Sequence, residues 1–257
     1  MLEVDNLSVA LSGSVVLEGI STRVERGSWL CLVGPNGAGK TTFLRAVVGL
    51  VRHEGEIRID GRRRAAAGRA AARLVAYVPQ RPVLPPAMTV ADYVLLGRSP
   101  HQGLFGAETA ADRRAAALAM ERLDLFELAG RPLGAVSGGE AQRAVLARAL
   151  AQEAPVLAMD EPTASLDLGH AQAVLELADQ LRRERGLAVL SALHDLTLAG
   201  QYAERLLLLA GGRPVASGPP GMVMTEANLR RVFGASVRVT DGPDGVTIAP
   251  VRPGWSG

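Results

Sequence analysis

The residues best suited to chemistry stand in one short run: Gly34, Pro35, Asn36, Gly37, Ala38, Gly39, Lys40 and Thr41. Glycine, four residues, glycine, lysine and then serine or threonine is the spacing of a loop that wraps a nucleotide triphosphate. Glycines let successive backbone N–H groups converge on phosphate oxygens, and a helix start directly behind them adds partial positive charge. Lys40 then reaches the β and γ phosphates, Thr41 presents a hydroxyl to Mg²⁺, and Thr42 closes the run. The bland alternative is a strand-to-helix turn with an accidental Lys-Thr. Context decides against it, because residues 29–33 form an apolar run suited to a buried strand and residues 42–48 read as a helix.

Further candidates fall just after later apolar runs. In an open parallel sheet, ligands bind outside the carboxyl ends of the strands. That rule collects Gln80 after 74–78, Asp160 and Glu161 after 156–159, and His194 after 187–193. A carboxylate at Asp160, behind Val156, Leu157, Ala158 and Met159, is costly to bury unless a cation such as Mg²⁺ lies beside it. Glu161 can polarise a water that attacks the γ phosphate, since phosphoryl transfer needs positioning and charge stabilisation more than covalent chemistry. His194 alone suits a structural histidine; on this rim it joins the site. Ser137, Gly138 and Gly139 open a helix over 140–151, a second glycine-rich start and so a second candidate anion site. None of His53, His101 and His170 has metal-ligand spacing to another His or Cys, so no zinc site is expected.

The elements that position these residues follow from pattern. Period-two alternation in 2–24 and 55–61 predicts half-buried antiparallel strands beside the phosphate loop. Arg62, Arg63, Arg64, Arg69 and Arg73 stud an Ala-rich stretch that reads as a short helix with a solvated face, with anionic lipid headgroups as the other candidate contact. From 81 to 135 the chain changes character, with Pro82, Pro85 and Pro86 followed by helical periodicity over 89–96 and 108–128, an inserted helical subdomain. Beyond it the pattern alternates strand (156–159), helix (170–185) and strand (187–193), then a hairpin around Gly211 and Gly212. Residues 241–257, rich in Gly and Pro, read as a loose end.

Composition narrows the classes. A 257-residue chain that is 48% hydrophobic can bury a large core. Its 28 Lys and Arg against 26 Asp and Glu leave a formal charge of +2, too small a bias to argue for nucleic acid. Cys31, the single cysteine, reads as a core residue in a reducing compartment. Acid near the first residues and no apolar run of membrane-spanning length predict a cytoplasmic protein, for which any membrane role must come from a partner.

Taken in order, these motifs resemble the ATP-binding subunit of an ABC transporter, over residues 2 to about 250. Beside the phosphate loop stand a glutamine loop (Tyr77, Val78, Pro79, Gln80) and a match to the Leu-Ser-Gly-Gly-Gln signature (Val136, Ser137, Gly138, Gly139, Glu140). The carboxylate strand, the loop Ser165, Leu166, Asp167, and a switch histidine, His194, follow. The resemblance implies an α/β fold: a RecA-like P-loop NTPase core with an antiparallel β subdomain and an inserted α-helical subdomain. It places an ATPase domain at 2–240, the helical subdomain at about 81–150, and a tail at 241–257. It further implies ATP and Mg²⁺ as cofactors, with Thr41, Gln80 and Asp160 toward the metal. Two copies would sandwich two ATP molecules, each between one copy's phosphate loop and the other's Ser137, Gly138 and Gly139, with Asp167 at the interface and Gln80, Glu161, His194 and Lys40 serving hydrolysis. Such a homodimer works on integral-membrane permease subunits at the cytoplasmic face of the membrane, and indirectly with a substrate-binding protein.

The segment 88–101 and residues 228–234 resemble importers of iron siderophores, haem and cobalamin, with zinc and manganese importers as relatives of similar pattern. Two departures stand out. Glu140 replaces the signature's usual Gln, with little loss expected, and Leu11 stands where relatives carry an aromatic that stacks on adenine. Stacking contributes about 1–3 kcal/mol against a phosphate clamp of many charge-assisted bonds, so ATP binding with weakened base preference is expected. Relatives acting on DNA or ribosomes carry long coiled coils or paired cassettes, which this chain lacks, and Glu161 with His194 suits water rather than another phosphoryl acceptor.

Overall fold

The computed structural model describes residues 1–64, 68–103, 106–164, 166–243 and 245–252. Alternation along β1 (Leu2–Leu11) and β2 (Ser14–Val24) buries Leu2, Val4, Leu7, Val9, Leu17, Ile20 and Val24 on one face. The two strands pair antiparallel and β4 (Glu54–Ile59) and β5 (Arg62–Arg63) extend the sheet in the order β2-β1-β4-β5. This is the expected antiparallel layer.

A second sheet, of order β10-β9-β3-β8-β7-β6, carries the site. Its strands β3 (Trp29–Val33), β7 (Val156–Asp160) and β8 (Ala188–Ala192) are buried at every residue. Unbroken apolar runs of this kind mark parallel strands covered on both faces. With β6 (Val75–Val78) and β9 (Arg205–Ala210) they run parallel, while β10 (Arg213–Gly218) folds back as an antiparallel edge. Leu30 and Leu32 of β3 face the antiparallel layer and Phe43 and Leu44 of α1 (Lys40–Val48); Trp29, Cys31 and Val33 face the opposite side. Burial pushes the Cys31 thiol up to about 12, in keeping with a core role.

The Arg-studded stretch contributes one short helix, α2 (Arg69–Ala72), and residues 65–67 lie outside the described residues. The inserted subdomain follows β6. In it α3 (Val90–Leu95), running into a 3-10 turn at Leu96–Arg98, and α4 (Ala110–Arg122) pack on α5 (Gly138–Ala151). The single helix expected over 108–128 is broken: α4 stops at Arg122, Asp124 turns left-handed at φ 51°, and a 3-10 turn spans Phe126–Leu128. Aspartate tolerates that conformation better than most residues and so ends the helix there. Arg98, 6% exposed, pins the subdomain by donating to Asp112 at 3.0 Å and to the Ala151 carbonyl at 2.7 Å.

Beyond α6 (Leu168–Arg185) and α7 (Leu196–Tyr202), the chain ends in α8 (Pro220–Val223), α9 (Glu226–Phe233) and a hairpin of β11 (Val237–Gly242) with β12 (Gly245–Pro250). The loose end expected from 241 is thus corrected for residues 241–243 and 245–250, which pair with or turn into this hairpin. Its physical cause is an apolar face, with Val246 2% exposed and packed on Gly200 of α7. Residues 253–257 of the tail lie outside the described residues. No helix among the described residues is long and apolar enough to cross a membrane.

Candidate functional site

The phosphate loop links β3 to α1, and its glycines are needed where it is tightest. A Cβ on Gly34 (φ 151°) would collide with the Leu209 carbonyl, and one on Gly39 (φ 98°) with the Leu17 side chain. No side chain caps α1, so its first N–H groups remain available to a ligand. Lys40, the only lysine of the chain, is 5% exposed and its Nζ donates to the Gly34 and Pro35 carbonyls at 2.7 and 3.1 Å. Burial pulls its ammonium below the ordinary value, opposed by the Glu161 and Asp160 carboxylates.

Those carboxylates, adjacent at the end of β7, have separate partners. Asp160, 1% exposed, accepts from Thr41 Oγ1 at 2.9 Å and from the Tyr77 phenol at 3.1 Å. Burial, with Asp160 beside it, pushes the Tyr77 phenol up to about 12, so it stays a donor. Glu161 steps off the strand with φ 49°, a left-handed backbone unusual for a glutamate, and its N–H donates to the Ala192 carbonyl at 3.0 Å. This turn aims its side chain, in a residue 8% exposed, between two rim groups: Gln80 Nε2 donates to Oε2, and His194 Nε2 lies 2.6 Å from Oε1.

A cavity of about 390 Å³ collects Val16, residues 36–42, Gln80, Glu161 and His194. The sequence therefore anticipated its rim, and missed Tyr77, the group that orients Asp160 from the neighbouring strand. Alternation along β6 could have marked it, as a polar-tipped residue facing the layer that holds α1. None of the lining residues is Phe, Tyr or Trp; Leu11, 41% exposed, sits at the β1–β2 turn.

Ser137, Gly138, Gly139 and Asp167 are not among the residues lining this cavity. Ser137 caps α5 in a reciprocal box: its Oγ accepts from the Glu140 N–H at 3.3 Å, and Glu140 Oε2 accepts from the Ser137 N–H at 2.6 Å. That bond and the Ser137 hydroxyl hold the Glu140 carboxyl below its usual range. Asp167 caps α6, accepting from the His170 N–H at 2.9 Å. Ser165 of the same loop lies outside the described residues.

A triphosphate cradle on the carboxyl rim of a parallel sheet, with a helical insertion bearing a second glycine-rich helix start, defines an ATP-binding cassette. Residues 17–164 match the model of the ABC transporter family, and the chain belongs to that family. It is similar to the cobalamin import ATP-binding protein BtuD of Halobacterium salinarum, 41% identical over 97% of this chain, although the chain spans only 63% of that relative's length. The hemin import ATP-binding protein HmuV of Streptomyces coelicolor is 44% identical over 92% of this chain and 84% of its own length. The iron(3+)-hydroxamate import ATP-binding protein FhuC of Bacillus subtilis is 34% identical over 94% of this chain and 91% of its own length. Among solved structures, an inward-facing ABC transporter described as of metal-chelate type aligns over 98% of both chains with TM-score 0.84 and 28% identity. A dimeric cassette in a post-hydrolysis state, bound to ADP and Pi, aligns over 86% of this chain and 99% of its own with TM-score 0.73 and 26% identity.

Proposed function

We propose that this chain is the ATP-hydrolysing subunit that powers an importer, working as a homodimer on integral-membrane permease subunits, with a metal chelate such as a ferric siderophore, haem or cobalamin as cargo. One observation carries the hydrolytic reading: Gln80, Glu161 and His194 converge on a single cavity floored by Lys40 and the uncapped start of α1. The import functions named for the relatives support the cargo class, and the dimeric relative supports the pairing.

In this reading the phosphates lie against the N–H groups of residues 36–41, with Lys40 on the β and γ oxygens. The Thr41 hydroxyl and the Asp160 carboxylate are hard oxygen donors within 2.9 Å of each other, a set that suits Mg²⁺, with the Gln80 carbonyl oxygen completing it from the rim. Mg²⁺ would supply charge neutralisation of the β and γ phosphates. Glu161 takes the proton of a water that Gln80 orients, and His194 turns from Glu161 to a γ-phosphate oxygen. Ser137, Gly138 and Gly139 of the other copy meet the same phosphate, and Asp167 sets the interface.

A cleft of about 470 Å³ lies between the core and the helical subdomain, lined by Leu50, Gly68, Leu96, Pro100, Arg148 and Gln152. Leu50 and Leu96 are 63% and 44% exposed there, which suits docking of an apolar permease segment and a peripheral place at the cytoplasmic face of the membrane. The test is reconstitution with a permease of the metal-chelate class and its binding protein. Phosphate release that rises with chelate-loaded binding protein is expected. Stimulation by DNA or ribosomes instead, or a phosphorylated product other than inorganic phosphate, overturns the reading.

A further inference from the structure

His170 has no part in the site described above, yet its ring joins two surfaces that belong to it. Its backbone N–H is enough to let Asp167 cap α6, and any residue could supply that bond. The ring adds a second, residue-specific one: Nδ1 lies 2.8 Å from both carboxylate oxygens of Asp167. A carboxylate accepts only, so Nδ1 carries the proton. The opposite edge of the ring abuts the signature helix. A Cβ built on Gly139 would stand 2.8 Å from His170 Cδ2 and 3.1 Å from Nε2, so the imidazole occupies the space that a side chain at 139 would need. Glycine at 139 and histidine at 170 are complementary parts of one contact between the first turns of α5 and α6.

A second bond ties the same two regions closer to the reacting carboxylate, as Gln142 Nε2 of α5 donates to the Pro162 carbonyl at 2.8 Å, one residue beyond Glu161. The His170 and Asp167 side chains are 58% and 70% exposed. An exposed pair of this kind adds little to folding stability, so a requirement for it points to placement rather than to holding the fold together.

We propose that His170 is a positioning residue that locks the Asp167 loop to the first turn of the signature helix, so that both are presented to a second copy of this chain as one rigid surface. The inference rests on the two-copy reading above. Closure of two copies then does not have to order two independent segments at once, which raises the affinity of one copy for the other without any new contact.

The test uses the full chain carrying Glu161→Gln, with ATP and Mg²⁺, followed by light scattering. This protein is expected to form dimers, and adding His170→Ala is expected to weaken dimerisation about tenfold, the size of effect that loss of pre-organisation at an interface can produce. The melting temperature of the monomer and its affinity for a fluorescent ATP analogue stay unchanged. His170→Asn, whose amide can still donate to Asp167, recovers part of the loss. Equal dimerisation with and without His170 overturns the inference alone, as does a parallel fall in monomer stability and nucleotide affinity. A Glu161→Gln protein that stays monomeric removes the two-copy reading and this inference with it.

Discussion

The chain has two glycine-rich helix starts, and their surroundings are opposite. The start of α1 lies under the rim of the parallel sheet, has no side-chain cap, and is served from across the sheet by Asp160, Glu161 and Gln80. The start of α5 lies at the surface, where Ser137 and Glu140 satisfy each other's backbone donors and the Ser137 hydroxyl serves the Glu140 carboxylate. Local sequence is similar; tertiary placement is not. A buried start with unused donors is a receptor for an anion. A self-capped exposed start holds its shape alone and can only add to a ligand that something else already holds.

That contrast can be broken most directly at Lys40. Lys40→Ala removes charge-assisted bonds of about 1.5–3 kcal/mol each, and nucleotide affinity, followed by fluorescent ATP titration, is expected to fall by about 100-fold or more. Next in size, Glu161→Gln is expected to lower kcat for phosphate release by about 100-fold or more while leaving the nucleotide dissociation constant within about threefold. A variant with normal phosphate release would remove Glu161 from the role of base. At the exposed start, Ser137→Ala is expected to leave binding to the isolated chain unchanged and to lower turnover of the assembled transporter about tenfold, one charge-assisted bond. Equal loss of binding at both starts would erase the distinction drawn between them.

The smallest expected effect concerns the subdomain that carries α5. Thr109, by its hydroxyl and N–H, and then Arg98 hold the Asp112 carboxyl down at about 2, against an ordinary value of 3.8. A depressed folded value means the stabilisation is present above about pH 4 and is lost as pH falls through about 2. Acid-melting curves of the protein and of Asp112→Asn should therefore differ at neutral pH and converge near pH 2. Curves that stay parallel throughout would detach Asp112 from the anchoring role.

What could be read from the residues was whatever depends on spacing along the chain. The phosphate loop, the strand ends bearing Gln80, Asp160 and Glu161, and the fold-back at Gly211 and Gly212 are local signals, and the elements stand where these place them. Pairings across strands were not legible: alternation along β6 marks the layer that Tyr77 faces, but not that its phenol meets Asp160. Nor does the residue type at Glu161 or Asp124 announce a left-handed backbone; both take it because a strand end or a helix end requires it. The C-terminal hairpin was hidden by its own Gly and Pro, since the alternation of Val237, Val239, Val246 and Ile248 becomes meaningful only once α7 offers Gly200 as a flat landing.

The confinement of Lys40 has a chemical corollary. All other basic side chains except the histidines are guanidinium groups, so the loop holds the one side-chain primary amine of the molecule. A reagent that acylates or carbamylates amines therefore has a single internal target, and a filled loop would shield it. Progressive carbamylation during storage in urea should silence this protein by one covalent event, with the mass shift of the peptide containing residue 40 reporting the surviving fraction.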